Sequence, residues 1–402
     1  QQEKHSVLDK RTQQAIRFMD SYAQRTGLTS AQPDRRYLWT DAFAVCNYLG
    51  LARTTGDNKY SELALQLIDR VHHTLGKHRD DDPRTGWISG MSESAGELHP
   101  TRGGLRIGKT LPERSPYEEF DSQLEWDRDG QYFHYLSKWM HALDQVTRNT
   151  GEIKFNIWAR ELDASAYAAF SYQSLPGREP RRMVWKKSID LTRALVPSMG
   201  KHDPLDGYVT SLQLAATAAA LPQSDTAPTL EDETAGFARM VEHGDWSTDD
   251  PLGLGGLLVD AWRLMQLQQQ GMEAQPRLLA ILLNTAFTGL QVYADSGELQ
   301  HPPQYRLAFR EFGLAIGLHA VERMQQTLDQ QAKHETVNPH LKAQLGAFMQ
   351  YAYLREHIEN FWLYPEHRKS DSWIEHRDIN EVMLATSLAP DGILELQTPG
   401  AR

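Results

Sequence analysis

The sequence predicts an all-α chain closed into a ring of helical hairpins, an (α/α)6 toroid of about twelve helices in six pairs. Three observations carry this. First, Thr55-Gly56-Asp57-Asn58-Lys59-Tyr60 returns 95 residues later as Thr150-Gly151-Glu152-Ile153-Lys154-Phe155. The match extends outward, Arg53 to Arg148, Ala64 to Ala159 and Leu67 to Leu162. Helix, Gly-centred turn, helix, repeated, is how a stacked helical array is written. Second, apolar residues recur at i, i+3, i+4 and i+7 in long blocks divided by Gly, Pro and Asp. Third, the blocks alternate in character. Every second one is rich in small residues and apolar nearly all round, as in Gly253, Gly255 and Gly256 or Gly313, Ala315 and Gly317. Their partners are amphipathic, with Gln66, Asp69 and Arg70 opposite Leu63, Leu67 and Val71. Crowded helices inside and half-solvated helices outside make two concentric rings.

Taken in order, helices are predicted near 7–26, 40–55, 59–75, 130–149, 154–171, 204–220, 229–243, 252–270, 276–294, 305–327, 339–362 and 378–388. The Gly of each repeated turn suits a helix C-cap, so the repeat marks joints of the ring and not a site. Residues 77–129 and 172–202 interrupt the helices. They mix Trp, Arg and Gly and lack the Ser/Glu/Lys/Pro bias of disorder, so both are expected as ordered loops over one mouth. Within the second, Arg182-Met183-Val184-Trp185 reads as a short strand, and 364–377 reads as a third loop. The whole chain, 1–402, is expected as one domain.

Composition removes several classes. The chain is 40% hydrophobic and 24% charged with a net charge of −11, and it has no basic stripe, which speaks against a nucleic-acid partner. No uninterrupted run of 18 apolar residues is present, so no membrane partner is expected. Cys46, the only cysteine, rules out an intrachain disulfide and Cys-rich metal sites. Histidine spacing shows neither HExxH nor a facial triad, and His72, His73 and His78 read as solvated. No metal and no cofactor are expected. Gly103 to Lys109 lacks P-loop spacing, and no Gly-x-Ser-x-Gly elbow exists. The cytoplasm is the default location; because the chain begins at Gln1, removal of a secretory leader is the alternative. Oligomeric state is not legible.

The inner helices should run parallel and bring their N-termini to one face. There the sequence places Trp39-Thr40-Asp41, Glu125-Trp126-Asp127-Arg128-Asp129 before Tyr132, His202-Asp203-Pro204-Leu205-Asp206, Asp249-Asp250-Pro251, Arg306 to Glu311, and Asp378 to Glu381. Single acids at helix starts are ordinary N-caps. Capping does not account for three acids and an Arg around Trp126, nor for Glu311 inside an apolar helix, where it needs a partner such as Arg306 or Arg310. The toroid, the Thr-Gly-acid-x-Lys-aromatic turns and the Trp-x-Asp and Trp-Asp helix starts resemble the six-hairpin glycosidase superfamily, whose fold the sugar 2-epimerases share.

That resemblance implies an oligosaccharide or other small-molecule substrate and glycosidic-bond hydrolysis, for which one protonated and one ionised carboxyl are needed. Clustered acids push one pKa up while an Arg holds another down. Glu125 or Asp127 is the expected general acid, with Asp41, Asp206 or Glu311 as the opposing carboxylate. Arg128, Asp129, Tyr132, His202 and Arg306 are expected around the substrate, with Trp39, Trp87, Trp126 and Trp185 as stacking faces. Two other chemistries fit the same fold: a sugar epimerase using His202, His319 or His376, and a uronate lyase using loop arginines such as Arg102, Arg106 and Arg114. A toroid that binds a glycan or a protein without catalysis is the third alternative.

Overall fold

The computed structural model describes residues 8–177, 180–222 and 226–399. Twelve principal helices are numbered here in chain order: α1 Lys10–Arg25, α2 Leu38–Thr55, α3 Asn58–Leu75, α4 Phe133–Thr150, α5 Ile153–Phe170, α6 Asp203–Ala220, α7 Glu231–Val241, α8 Pro251–Gln269, α9 Leu278–Asp295, α10 Ala308–Ala332, α11 Tyr353–Leu363 and α12 Arg377–Leu388. The even-numbered helices pack in a closed circle, α2, α4, α6, α8, α10, α12 and back to α2, with the odd-numbered ones around them. The pattern of burial along each helix shows why. Nearly every residue of α2 from Leu38 to Leu51 is buried, whereas α3 buries one stripe through Tyr60, Ala64, Leu67, Ile68 and Val71.

Both repeated turns are C-caps. Gly56 and Gly151 hold φ of 70° and 80°, and their N–H groups donate to Ala52 and Thr147 carbonyls. An L-residue with a Cβ is strained there. Asp57 then accepts from the Lys59 N–H at 3.0 Å and starts α3. Helices α8 and α10 cross closely: a Cβ on Gly255 would lie 1.9 Å from the Gly313 carbonyl oxygen. Small residues at this crossing allow backbone to touch backbone.

The helix expected over 339–362 is broken. Pro339–Ala347 is followed by a 3₁₀ turn, Phe348–Tyr351, that buries Phe348 against Phe287 before α11 begins. Segment 364–377 contains a 3₁₀ turn and a four-residue helix, Asp371–Ile374, which buries Trp373 parallel to Trp362. The loops over the N-terminal mouth carry two small antiparallel sheets. In one, β1 (Gln131–Tyr132) pairs with β4 (Lys186–Lys187), which pairs with β5 (Ala194–Val196). In the other, β2 (Ser171–Tyr172) pairs with β3 (Arg182–Met183). The opposite end is closed by residues 390–397. Gln145 donates to the Gly392 and Glu395 carbonyls at 3.0 and 2.8 Å, and Gln266 to that of Leu394 at 2.9 Å.

One helix, Leu278–Asp295, is long and apolar enough to cross a membrane by length and composition. Here it is outer helix α9, burying Leu282, Leu283, Ala286 and Leu290 against the ring.

Candidate functional site

With one end sealed, ligand access to the axis is from the N-terminal mouth. A narrow cavity of about 50 Å³ runs along the axis between Trp39 and Phe43 of α2, Lys138 and His141 of α4, Val259 and Arg263 of α8, and Ile393 of the closing segment. Two of its polar lining groups, Lys138 and Arg263, belong to a network whose carboxyls, Asp206 and Asp260, are buried behind the lining. Arg263 Nη1 donates to Asp206 Oδ1 at 3.2 Å and to Asp260 Oδ1 at 3.0 Å. Arg263 Nη2 donates to Thr210 and Gln213 at 2.8 and 2.9 Å. Lys138 Nζ lies 3.5 Å from Asp206 Oδ1, and the Ser137 hydroxyl bonds to Asp206 Oδ2. Because both carboxyl oxygens contact one nitrogen, they are at most about 6 Å apart.

The two carboxyls are driven in opposite directions. Burial, then the neighbouring Asp206 charge, raises Asp260 to about 7, and Arg263 only partly opposes this. Burial acts on Asp206 too, but Lys138, Arg263 and the Ser137 hydroxyl outweigh it and hold Asp206 below the usual carboxylate range. Near neutral pH one is therefore poised to carry a proton while the other is ionised. One turn earlier, burial raises Asp203 to about 8, and its Oδ2 has no hydrogen-bond partner.

Above this network the mouth is aromatic. Trp39 packs on His134 and Tyr135, and the Tyr37 and Tyr135 hydroxyls meet at 2.7 Å. Trp185 stacks on Tyr132 at 4.6 Å and meets Trp126 edge-on. Trp126 is half exposed, and Lys109 Nζ lies over both its ring and that of Tyr37. Of the residues expected from sequence, Trp39, Trp126, Tyr132, Trp185 and Asp206 are thus brought to the mouth or axis.

The other expected residues lie elsewhere. Asp41 is buried on the outer side of α2, bonded to the Tyr22 hydroxyl, Arg36 and the Tyr37 N–H. Glu311 pairs with Arg306 at 2.6 and 3.0 Å and accepts from Trp362 Nε1, so both of that pair face outer helix α11. Glu125 is not on an inner helix. It sits in a short helix, Ser122–Asp127, buried between Lys186 and Arg114 at 3.3 Å each. Asp127 is exposed, and Arg128 pairs with Glu118. Asp129 is fully buried, gripped by Arg79, Arg106 and the N–H groups of Gly108 and Gly130. Trp87 is buried against Gly96, with Lys77 and His73 over it. His202 Nε2 meets the Trp246 carbonyl. His319 bonds to Glu359 away from the axis, and His376 packs on Phe309. His72, expected in solvent, is buried between Trp139 and Trp158.

Asp260, Arg263 and Lys138 were missed. The available signal was a charge inside an otherwise apolar inner helix, the argument applied to Glu311 alone.

Among solved structures, a GH76 alpha-mannanase from Bacteroides thetaiotaomicron matches with a TM-score of 0.53 at 10% identity, over 96% of this chain and 97% of that one. The likeness is one of fold, an (α/α)6 toroid. No family model matches the sequence, and no curated protein matches it.

Proposed function

We propose that this six-hairpin toroid is a carbohydrate-active enzyme, a glycoside hydrolase whose carboxyl pair is Asp260 and Asp206. The observation that supports it is the sharing of Arg263 Nη1 by two carboxyls with opposed proton affinities. Their Arg263-bound oxygens stand no more than about 6 Å apart, below the roughly 6.5–9.5 Å of an inverting pair. Asp260 protonates the glycosidic oxygen as that bond breaks, and Asp206 adds to the anomeric carbon. The Asp260 carboxylate then takes a proton from water, whose oxygen displaces Asp206. Trp39 and the Trp126–Trp185 wall offer flat faces for sugar rings. A cavity of about 50 Å³ is smaller than a sugar ring, so the reaction needs the Trp39–His134 contact to open on binding.

That narrowness favours a second reading, a toroid that holds a glycan at its aromatic mouth without cleaving it. The epimerase and lyase readings draw less support. His202 and His319 are bonded elsewhere, and Arg102, Arg106 and Arg114 are each paired with a buried carboxylate. A panel of mannans, glucans and uronans, assayed for reducing ends and for binding, tests the proposal. Hydrolysis that disappears in Asp260→Asn supports it. Binding without cleavage supports the second reading, and deuterium uptake from solvent without cleavage supports an epimerase.

A further inference from the structure

A larger cavity, about 720 Å³, lies off the axis beside the C-terminus of α3. Its wall is a hairpin in which the His78 N–H donates to the Gly86 carbonyl at 3.0 Å and the Ile88 N–H to that of Gly76 at 2.9 Å. The volume is typical of a small-molecule site. Asp129 separates it from the mouth, because Arg79 and Arg106 of the cavity wall clamp that carboxylate from one side while the Gly108 N–H holds it from the other.

The lining has unused hydrogen-bonding groups. The His78 side chain is 8% exposed, and its Nδ1 has no hydrogen-bond partner, the nearest carboxylate oxygen being Asp82 Oδ2 at 3.8 Å. A buried imidazole left so is costly unless a ligand completes it. Arg106 uses three N–H groups on Asp129, Lys77 and Thr74, and a guanidinium has five. By contrast, Arg79 is saturated by Asp81, Asp129 and two carbonyls. Lys77, Arg79, Arg84 and Arg106 are balanced by Asp34 and Asp80 to Asp82. Four charges of each sign disfavour an anion and a cation alike. Mixed donors and acceptors without net charge suit hydroxyl groups, which both give and take hydrogen bonds.

We propose that this rim cavity is a second binding site, separate from the axis, for a neutral hydroxyl-rich ligand of mono- or disaccharide size. His78 and Arg106 are its principal contacts. The site rests on its own lining and not on the chemistry assigned to Asp206 and Asp260.

The test uses the full chain with methyl α-mannopyranoside, and with sodium phosphate and magnesium chloride as charged probes. Calorimetry gives affinity, and amide hydrogen exchange gives location. The expected result is saccharide binding that protects 76–88, persists in Asp260→Asn, and weakens about tenfold or more in both His78→Phe and Thr85→Trp, with folding unchanged. Thr85 is exposed at the rim, so its variant serves if His78→Phe misfolds. Protection confined to the segments around Trp39 and His134, undiminished affinity in both variants, tighter binding of either ion at 76–88, or no saccharide binding would each overturn the proposal. Because binding and not turnover is read, a chain that cleaves no glycan leaves the test intact.

Discussion

Replacing Asp260 with Asn should move activity and stability in opposite directions. Burial and the Asp206 charge raise this carboxyl from 3.8 to about 7. At about 1.4 kcal/mol per unit, a shift of roughly three units disfavours the folded, ionised form by about 4 kcal/mol above pH 7. The sign follows from linkage. A carboxyl whose folded pKa is raised holds its proton more tightly when folded, so stability falls as pH climbs from about 4 through 7 and is flat on either side. Asn does not ionise and escapes this cost; the opposing attraction of Arg263 is already contained in the net shift. About 4 kcal/mol of net stabilisation is expected at pH 8, and close to none at pH 4. With an unfolding entropy near 2.1 cal/mol/K per residue, that is roughly 5 °C in Tm for this length. Turnover should meanwhile drop by roughly 10²–10⁴, the contribution of a positioned acid. Thermal melts from pH 4 to 9 and glycan hydrolysis read the two effects. A variant equally destabilised at pH 4 and pH 8 would show that Asp260 is not held protonated. Wild-type turnover would remove it from the mechanism.

Lys138→Met takes away the strongest influence holding Asp206 down, so the acidic limb of kcat/KM should move up by about one pH unit; an unmoved limb means that Asp206 is not the ionised partner. Gly255→Ala drives a methyl into the Gly313 carbonyl and should cost about 2–3 kcal/mol or more, whereas Gly256→Ala next to it meets nothing within 4 Å and should be neutral or stabilising by up to about 1 kcal/mol. Denaturant titration checks the pair, and equal effects would refute the close α8–α10 approach. Gly56→Ala and Gly151→Ala should each cost about 1 kcal/mol from positive φ alone, with no change in glycan binding. A binding change would mean that these turns belong to the site.

Much of the ring was legible because its information is local. Gly56 after Thr55 and Gly151 after Thr150 end helices by backbone conformation alone, and the apolar period tells a crowded helix from a half-solvated one. Even the partner of Glu311 was among those offered, since Arg306 lies five residues away in the chain, whereas Arg310, the other arginine offered, pairs with Asp250. The carboxyl cluster at 125–129 misled for the complementary reason. Its acids look free in sequence, but Lys186 reaches Glu125 from 61 residues along the chain, Arg114 reaches it from the preceding loop, and Arg79 and Arg106 close on Asp129.

Apart from the break within 339–362 and the short helices of the loops, the sequence by itself determined the principal helices, their order, their inner or outer rank and the shared direction of the inner N-termini, all consequences of periodicity and capping within a few residues. Only the tertiary structure decided which carboxyls meet. Asp206 and Asp260 stand 54 residues apart and are joined by one guanidinium because α6 and α8 are neighbours in the closed ring. Their opposed proton affinities arise from burial and mutual repulsion across that contact, which no stretch of chain carries alone.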